Sequence, residues 1–181
     1  MRLSPTESDQ TEICLAYYDG APGILVSGLV WLTAALVCHL LGIHKAVWTL
    51  LIGGALIHPI GLVVTKAMGR SAKTSKANAL NQLAMASTIL LILGCAMSYG
   101  LYLFIPILFF PAMMATIGCR YLIFASVYGK AVYWLLGASL IVAANLTLFT
   151  LMPPAIAASL GGLIEIAFAV LVFSKASKLT E

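Results

Sequence analysis

The chain has 181 residues, of which 62% are hydrophobic and only 9% are charged. A soluble domain carries about 25% charged residues, so the composition excludes an ordinary water-soluble fold, and long apolar runs make the bilayer the natural solvent. The net charge of +4 is no sign of nucleic-acid binding, because its distribution along the chain has another cause.

The first 21 residues are polar and carry Glu7, Asp9, Glu12 and Asp19. That is unlike the basic start of a cleavable signal, so the first apolar run reads as a retained anchor. The N-terminal segment either lies along the membrane or caps one end of the protein. Six spans follow, at about Gly23–Leu41, Ala46–Met68, Asn81–Ser98, Leu101–Phe124, Ala131–Leu151 and Pro153–Ser174. Each approaches or exceeds the roughly 20 residues needed to cross hydrocarbon. Ser98-Tyr99-Gly100 is taken as the turn between the third and fourth. The alternating short segments of a barrel are absent, and membrane helices satisfy their own backbone. The expectation is an all-α, polytopic bundle of six transmembrane helices. It divides into a polar cytoplasmic segment (1–21), a membrane domain (22–176) and a short cytoplasmic tail (177–181).

Six spans put both termini on one side, side A. Side A holds Arg2, Lys66, Arg70, Lys73, Lys76, Arg120, Lys130, Lys175 and Lys178, whereas side B holds Lys45 alone. The positive-inside rule makes side A cytoplasmic, which predicts a multi-pass protein of the bacterial inner membrane with both termini in the cytoplasm. Trp48 and Trp134 sit near span ends as interfacial aromatics do, while Trp31 belongs to packing. His39 and His44 read as interfacial. Cys14, Cys38, Cys95 and Cys119 lack ligand spacing and read as buried thiols.

Polar residues inside the spans are the functional signal. Glu165 is the only acid between Asp19 and Glu181, and an ionisable group at that depth costs at least about 2.5 kcal/mol. Ala158, Gly161, Gly162 and Ala169 share its helical face, and small residues let a neighbouring helix approach closely. His58 precedes Pro59, which removes a backbone donor and predicts a kink. Arg120 lies in the fourth span, Asn81 and Gln82 open the third beside a stripe of Asn78, Met85 and Thr88, and Asn145 lies deep in the fifth. At about 1.5 Å per residue, Glu165 and His58 match in depth, and Arg120 is also within reach, so either can be the partner of Glu165. Glu165, His58, Arg120, Asn81, Gln82 and Asn145 are therefore the expected ligand- or proton-binding residues, around a cytoplasm-facing polar cavity. The bland alternatives are a snorkelling arginine, a histidine bonded to backbone, an asparagine joining helices and a structural glutamate.

The order Gly53-Gly-Ala-Leu-Ile-His58-Pro59-Ile-Gly61, Thr65-Lys66, Lys76-Ala-Asn78-Ala-Leu80, then Gly118-Cys-Arg120-Tyr121 and Tyr128-Gly129, resembles a family of small bacterial integral membrane proteins to which no activity is assigned. The resemblance covers roughly residues 20–175 and implies the same topology. In that family an Asn-Pro step stands in place of Asn78-Ala79 and a histidine near the place of Arg120. Those two departures remove any ground for shared chemistry.

Three functions compete. The leading one is a small permease for a proton or a small polar solute, and three spans before three more would permit an inverted repeat. The second is a non-transporting scaffold or partner subunit, homo-oligomeric through its small-residue faces. A membrane-embedded enzyme ranks last, since no H-E-x-x-H, paired-Asp or Ser/His/Asp pattern is present. The partners expected are the lipid bilayer and a proton or solute, with no nucleic acid. No catalytic residue, metal or cofactor is expected.

Overall fold

The computed structural model describes residues 4–176, all helical or loop. Arg2, Lys178 and the 177–181 tail lie outside the described residues. Seven α-helices follow one another: α1 (Pro5–Tyr17), α2 (Ala21–Leu41), α3 (Ile43–Ala67), α4 (Leu80–Phe104), α5 (Phe109–Tyr128), α6 (Val132–Phe149) and α7 (Pro154–Ser174). Six of them, α2 to α7, are long and apolar enough to cross a membrane.

α1 is the polar exception. Ser4 caps it and Glu7 reaches back to the Ser4 amide at 2.8 Å, a reciprocal capping box. Tyr18, Asp19 and Gly20 then take left-handed backbone angles and turn the chain into α2. Two of the three are not glycine, which is costly, so the turn must be held from outside. It is held by Lys130, whose Nζ lies 2.6 Å from the fully buried Asp19 carboxylate, and by the Tyr133 hydroxyl, which donates to the Asp19 carbonyl.

α1 caps side A. Gln10 donates to the Ser126 carbonyl at 2.8 Å, and Cys14 Sγ contacts the Tyr128 carbonyl. Asn78 donates to Glu12 at 2.8 Å, Ser75 N–H to the same carboxylate at 2.6 Å, and Ala79 N–H to Asp9 at 3.1 Å. Asp9 and Glu12 of α1 thus bind amides of the α3–α4 loop, and Arg70 of that loop lies over the Tyr18 ring at 4.5 Å.

The break between the third and fourth spans differs from the expectation. α4 runs through Ser98, Tyr99 and Gly100 to Phe104, and the chain turns at Ile105, with φ −139° and ψ 90°, before Pro106. A proline lacks the amide a continuing helix needs and pushes its predecessor to extended angles. That outweighs a glycine, which helices tolerate. α3, by contrast, runs on past Pro59.

The core lies among α2, α5, α6 and α7. About 39% of each of these spans is buried, against 17% of α3 and 11% of α4, so the last two are outer helices. Trp31, Phe109, Phe110, Met114, Tyr133, Leu136 and Leu140 fill the centre, while Trp48 and Trp134 are exposed near helix ends. Cys14 is buried, but Cys119 faces outward on α5, contrary to the expectation of four buried thiols.

Two helix pairs meet backbone to backbone. A Cβ on Gly28 (α2) would lie 3.1 Å from the Gly162 carbonyl (α7), and one on Gly162 lies 3.0 Å from that of Gly28. Gly118 (α5) and Gly137 (α6) stand in the same relation, at 2.9 and 2.7 Å. In lipid no hydrophobic effect drives helices together, so such close approach supplies the attraction.

Gly28→Val or Gly118→Val is expected to destabilise the bundle by about 1–3 kcal/mol, since backbone cannot give way to the added atoms. Gly54, where a Cβ meets nothing within 4 Å, is the control: Gly54→Ala should leave thermal unfolding in detergent unchanged. The α1 cap is expected to depend on pH. The hydrogen bond from Asn78, then that from Ser75, hold the Glu12 carboxyl below the usual carboxylate value. A depressed value stabilises the docked form above the unfolded pKa of about 4.3 and loses that contribution as pH falls through the folded value. Protection of the Ser75 and Ala79 amides, relative to the intrinsic exchange rate at each pH, should fall below about pH 4 in the wild type. In Glu12→Gln it should already be low at pH 7.

Candidate functional site

Glu165 stands on α7 three residues beyond the glycine that touches α2. The glycine crossing draws α2 against the next turn of α7, where Ile166 faces Gly28. Ser27 therefore faces Glu165. From α5, the Tyr121 hydroxyl donates to Glu165 Oε1 at 2.9 Å. The carboxyl is 0% exposed and its second oxygen, Oε2, has no hydrogen-bond partner among the described residues.

Arg120 occupies the next position on α5. Its guanidinium lies 4.9 Å over the Phe124 ring, close enough to Glu165 and Tyr121 to interact electrostatically. The two charges form no ion pair within 4 Å among the described residues. Arg120 Nε is buried and has no hydrogen-bond partner among the described residues. A buried acid and a half-buried base, each with a buried polar atom lacking a partner among the described residues, thus flank Tyr121.

Above this pair, toward side A, lies an aromatic layer. Tyr121 approaches Tyr133 at 6.1 Å, and Tyr133 stacks on Tyr128 at 4.9 Å with 13° between the rings. Both latter hydroxyls lie against Gly20, whose left-handed backbone has no room for a side chain there. Tyr133 ends the layer at Asp19 and so at Lys130, which is 28% exposed. Polar groups thereby run from the surface of side A to the acid, at a depth of about 14 Å by helical rise.

The other expected site residues do not join this group. His58 is exposed on the outer face of α3. Asn145 is exposed on α6 and donates to its own helix at the Ile141 carbonyl. Asn81, in the first turn of α4, ties that helix to the α3–α4 loop by donating to the Ser75 carbonyl and accepting from Thr74, and Gln82 beside it is exposed. The stripe from Asn78 ends at Met85, which is 64% exposed. The expected open polar cavity is not what surrounds Glu165: the carboxyl is fully buried among packed helices, and neither the surface pocket along α3 nor that between α1 and the Arg70 loop includes it. Depth along the membrane matched His58 to Glu165, but rotation about the α3 axis turns the imidazole away.

Residues 6–175 match the family of unknown function DUF7010. The chain belongs to that family. This agrees with a resemblance to proteins without an assigned activity and extends over nearly the whole chain. Comparisons with curated proteins and with solved structures find no match. For this DUF7010 protein the chemistry must therefore be argued from its own residues.

Sequence reasoning missed Tyr121, Ser27 and the Asp19–Lys130 pair. Tyr121 stood in the quoted Arg120-Tyr121 motif, but a phenol in a span reads as apolar. Its donor role shows only when α5 and α7 are placed side by side.

Tyr121→Phe is expected to leave the buried carboxyl without its donor, at a cost of about 1–3 kcal/mol. In the Glu165→Leu background the same Tyr121→Phe change should cost less. Equal costs in the two backgrounds, measured by unfolding in detergent, would show the hydrogen bond to be idle.

Proposed function

We propose that this DUF7010 protein is a small permease of the bacterial inner membrane, with its termini in the cytoplasm, that moves a proton or a small polar solute. The single observation that carries the reading is a pair of buried polar atoms without hydrogen-bond partners among the described residues, Glu165 Oε2 and Arg120 Nε, on two different helices. Buried polar atoms are nearly always hydrogen-bonded, and intramembrane ionisable groups mark ion and substrate pathways. Glu165 is the carboxyl that takes up the proton or the solute's donor, Tyr121 and Ser27 orient it, and Arg120 offers a donor to an anionic or carbonyl group. The enclosed geometry corresponds to an occluded state. The excess of basic residues on side A supports the orientation, and residues 4–21 act as a cap on that face rather than as a domain of their own.

A second reading, a scaffold or partner subunit, is favoured by the outer helices. α3 and α4 bury little against their own chain, so much of their surface is free for another membrane helix.

Proteoliposomes loaded with a pH-sensitive dye separate the two. Under an imposed pH gradient, with a panel of small amino acids, amines and carboxylates outside, wild type is expected to carry proton flux that Glu165→Gln loses. Equal flux in both proteins would remove the carboxyl from the mechanism. No flux under any condition, with stable co-purification of a second membrane protein, would favour the scaffold.

A further inference from the structure

We propose that the six spans form two inverted halves, α2–α4 and α5–α7, which exchange their packing between two states of the protein. The exchange deepens the permease reading and rests on it for its purpose, though not for its geometry.

Halves with an odd number of spans run in opposite directions through the membrane. The sign of kinship is in the joints. Gly28 and Thr116 each stand seven residues beyond the first residue of α2 and α5, and Val30 and Gly118 stand nine. Gly28 meets Gly162 of α7, and Thr116 meets Gly94 of α4: in both cases the first helix of one half crosses the third helix of the other. Val30 meets Gly53 of α3, and Gly118 meets Gly137 of α6: in both cases the first helix crosses the second of its own half. Each of these contacts puts a glycine against its neighbour. Both first helices carry a proline in their first turn, Pro22 and Pro111, and both end at a glycine of positive φ, Gly42 at 88° and Gly129 at 63°.

The four joints agree, but the outer packing does not. α7 packs along α6 and touches α5, whereas α4 has no comparable packing on α3 or α2. α3 and α4 meet at side B through the His44–Tyr102 hydrogen bond of 2.8 Å and the Trp48–Tyr99 ring contact. Two equivalent halves packed unequally define a second arrangement, in which α4 closes on α3 and α7 leaves α6. The four glycine joints persist in both, so the two states differ only in peripheral contacts. α7 carries Glu165, and its departure from α6 and α5 is what opens the carboxyl to the outside.

A disulfide trap tests this. Cys14, Cys38, Cys95 and Cys119 are first replaced by serine or alanine. Leu56→Cys and Leu90→Cys are then combined on α3 and α4. They lie equal steps from His44 and Tyr102, and both are exposed, at 47% and 55%. The control is Val30→Cys with Gly53→Cys, because Val30 Cβ lies 3.5 Å from a Cβ built on Gly53, within disulfide range, at a joint kept in both states. Copper-phenanthroline oxidation in native membranes is expected to join both pairs within one chain, as read by peptide mass spectrometry. Reduction should restore any flux that the Leu56–Leu90 link removes. If the control pair oxidises and the Leu56–Leu90 pair stays reduced, the exchange is overturned. An internal link without flux under any condition keeps the exchange and sinks the permease. Flux lost in Glu165→Gln without the link does the reverse.

Discussion

The approach of α2 to α7 at Gly28 and Gly162 sets the rest of the interior. Lipid offers no hydrophobic reward for bringing helices together, so contact must come from shape. Two missing side chains let the backbones close until each would clash with a Cβ on the other. The same closeness fixes what lies a turn away. Ser27 and Glu165 are neighbours because their glycines are, and Tyr121 reaches the carboxyl because α5 also packs on α7. An acid that would be costly anywhere facing lipid is carried on the one face of α7 where helices, not acyl chains, surround it.

The turn at residues 18–20 is the second fixed point. Left-handed Tyr18 and Asp19 are unfavourable alone, and the fold holds them with groups from the α5–α6 hairpin, namely Lys130 and Tyr133. The N-terminal cap is thereby tied to the second half of the membrane domain while its acids bind the α3–α4 loop of the first. α1 bridges the two halves on side A. Any relative movement of the halves must strain or release that bridge, which gives a polar segment outside the membrane a mechanical connection to the aromatic layer above Glu165.

The six spans were legible because twenty apolar residues have few other uses, and the basic residues sorted themselves by side. The border of the third and fourth was misjudged where Ser98-Tyr99-Gly100 looked like a turn and Pro106 was the true breaker. Glu165 was legible as an anomaly, and its small-residue face did pack. Its partner was not. Depth in a membrane can be counted along a sequence, so His58 and Arg120 both seemed suitable. Rotation about each helix axis depends on which neighbours it meets, and that put His58 outside and Tyr121 in its place. Asp19 and Lys130 are too far apart in the chain for any local pattern to join them.

The inverted halves explain why the acid has no twin. A transporter built from two equivalent halves needs its joints duplicated, because both states use them, and the glycine contacts are duplicated. It needs its binding group once, because one site serves both states. The matching helix of the other half, α4, carries no acid near Gly94 and buries little in this state. The residues around Gly94, such as Leu93 and Met97, are apolar and exposed. The half that closes over the core in this state is the half that bears the carboxyl, so the exchange would carry the one binding group between a covered and an uncovered position.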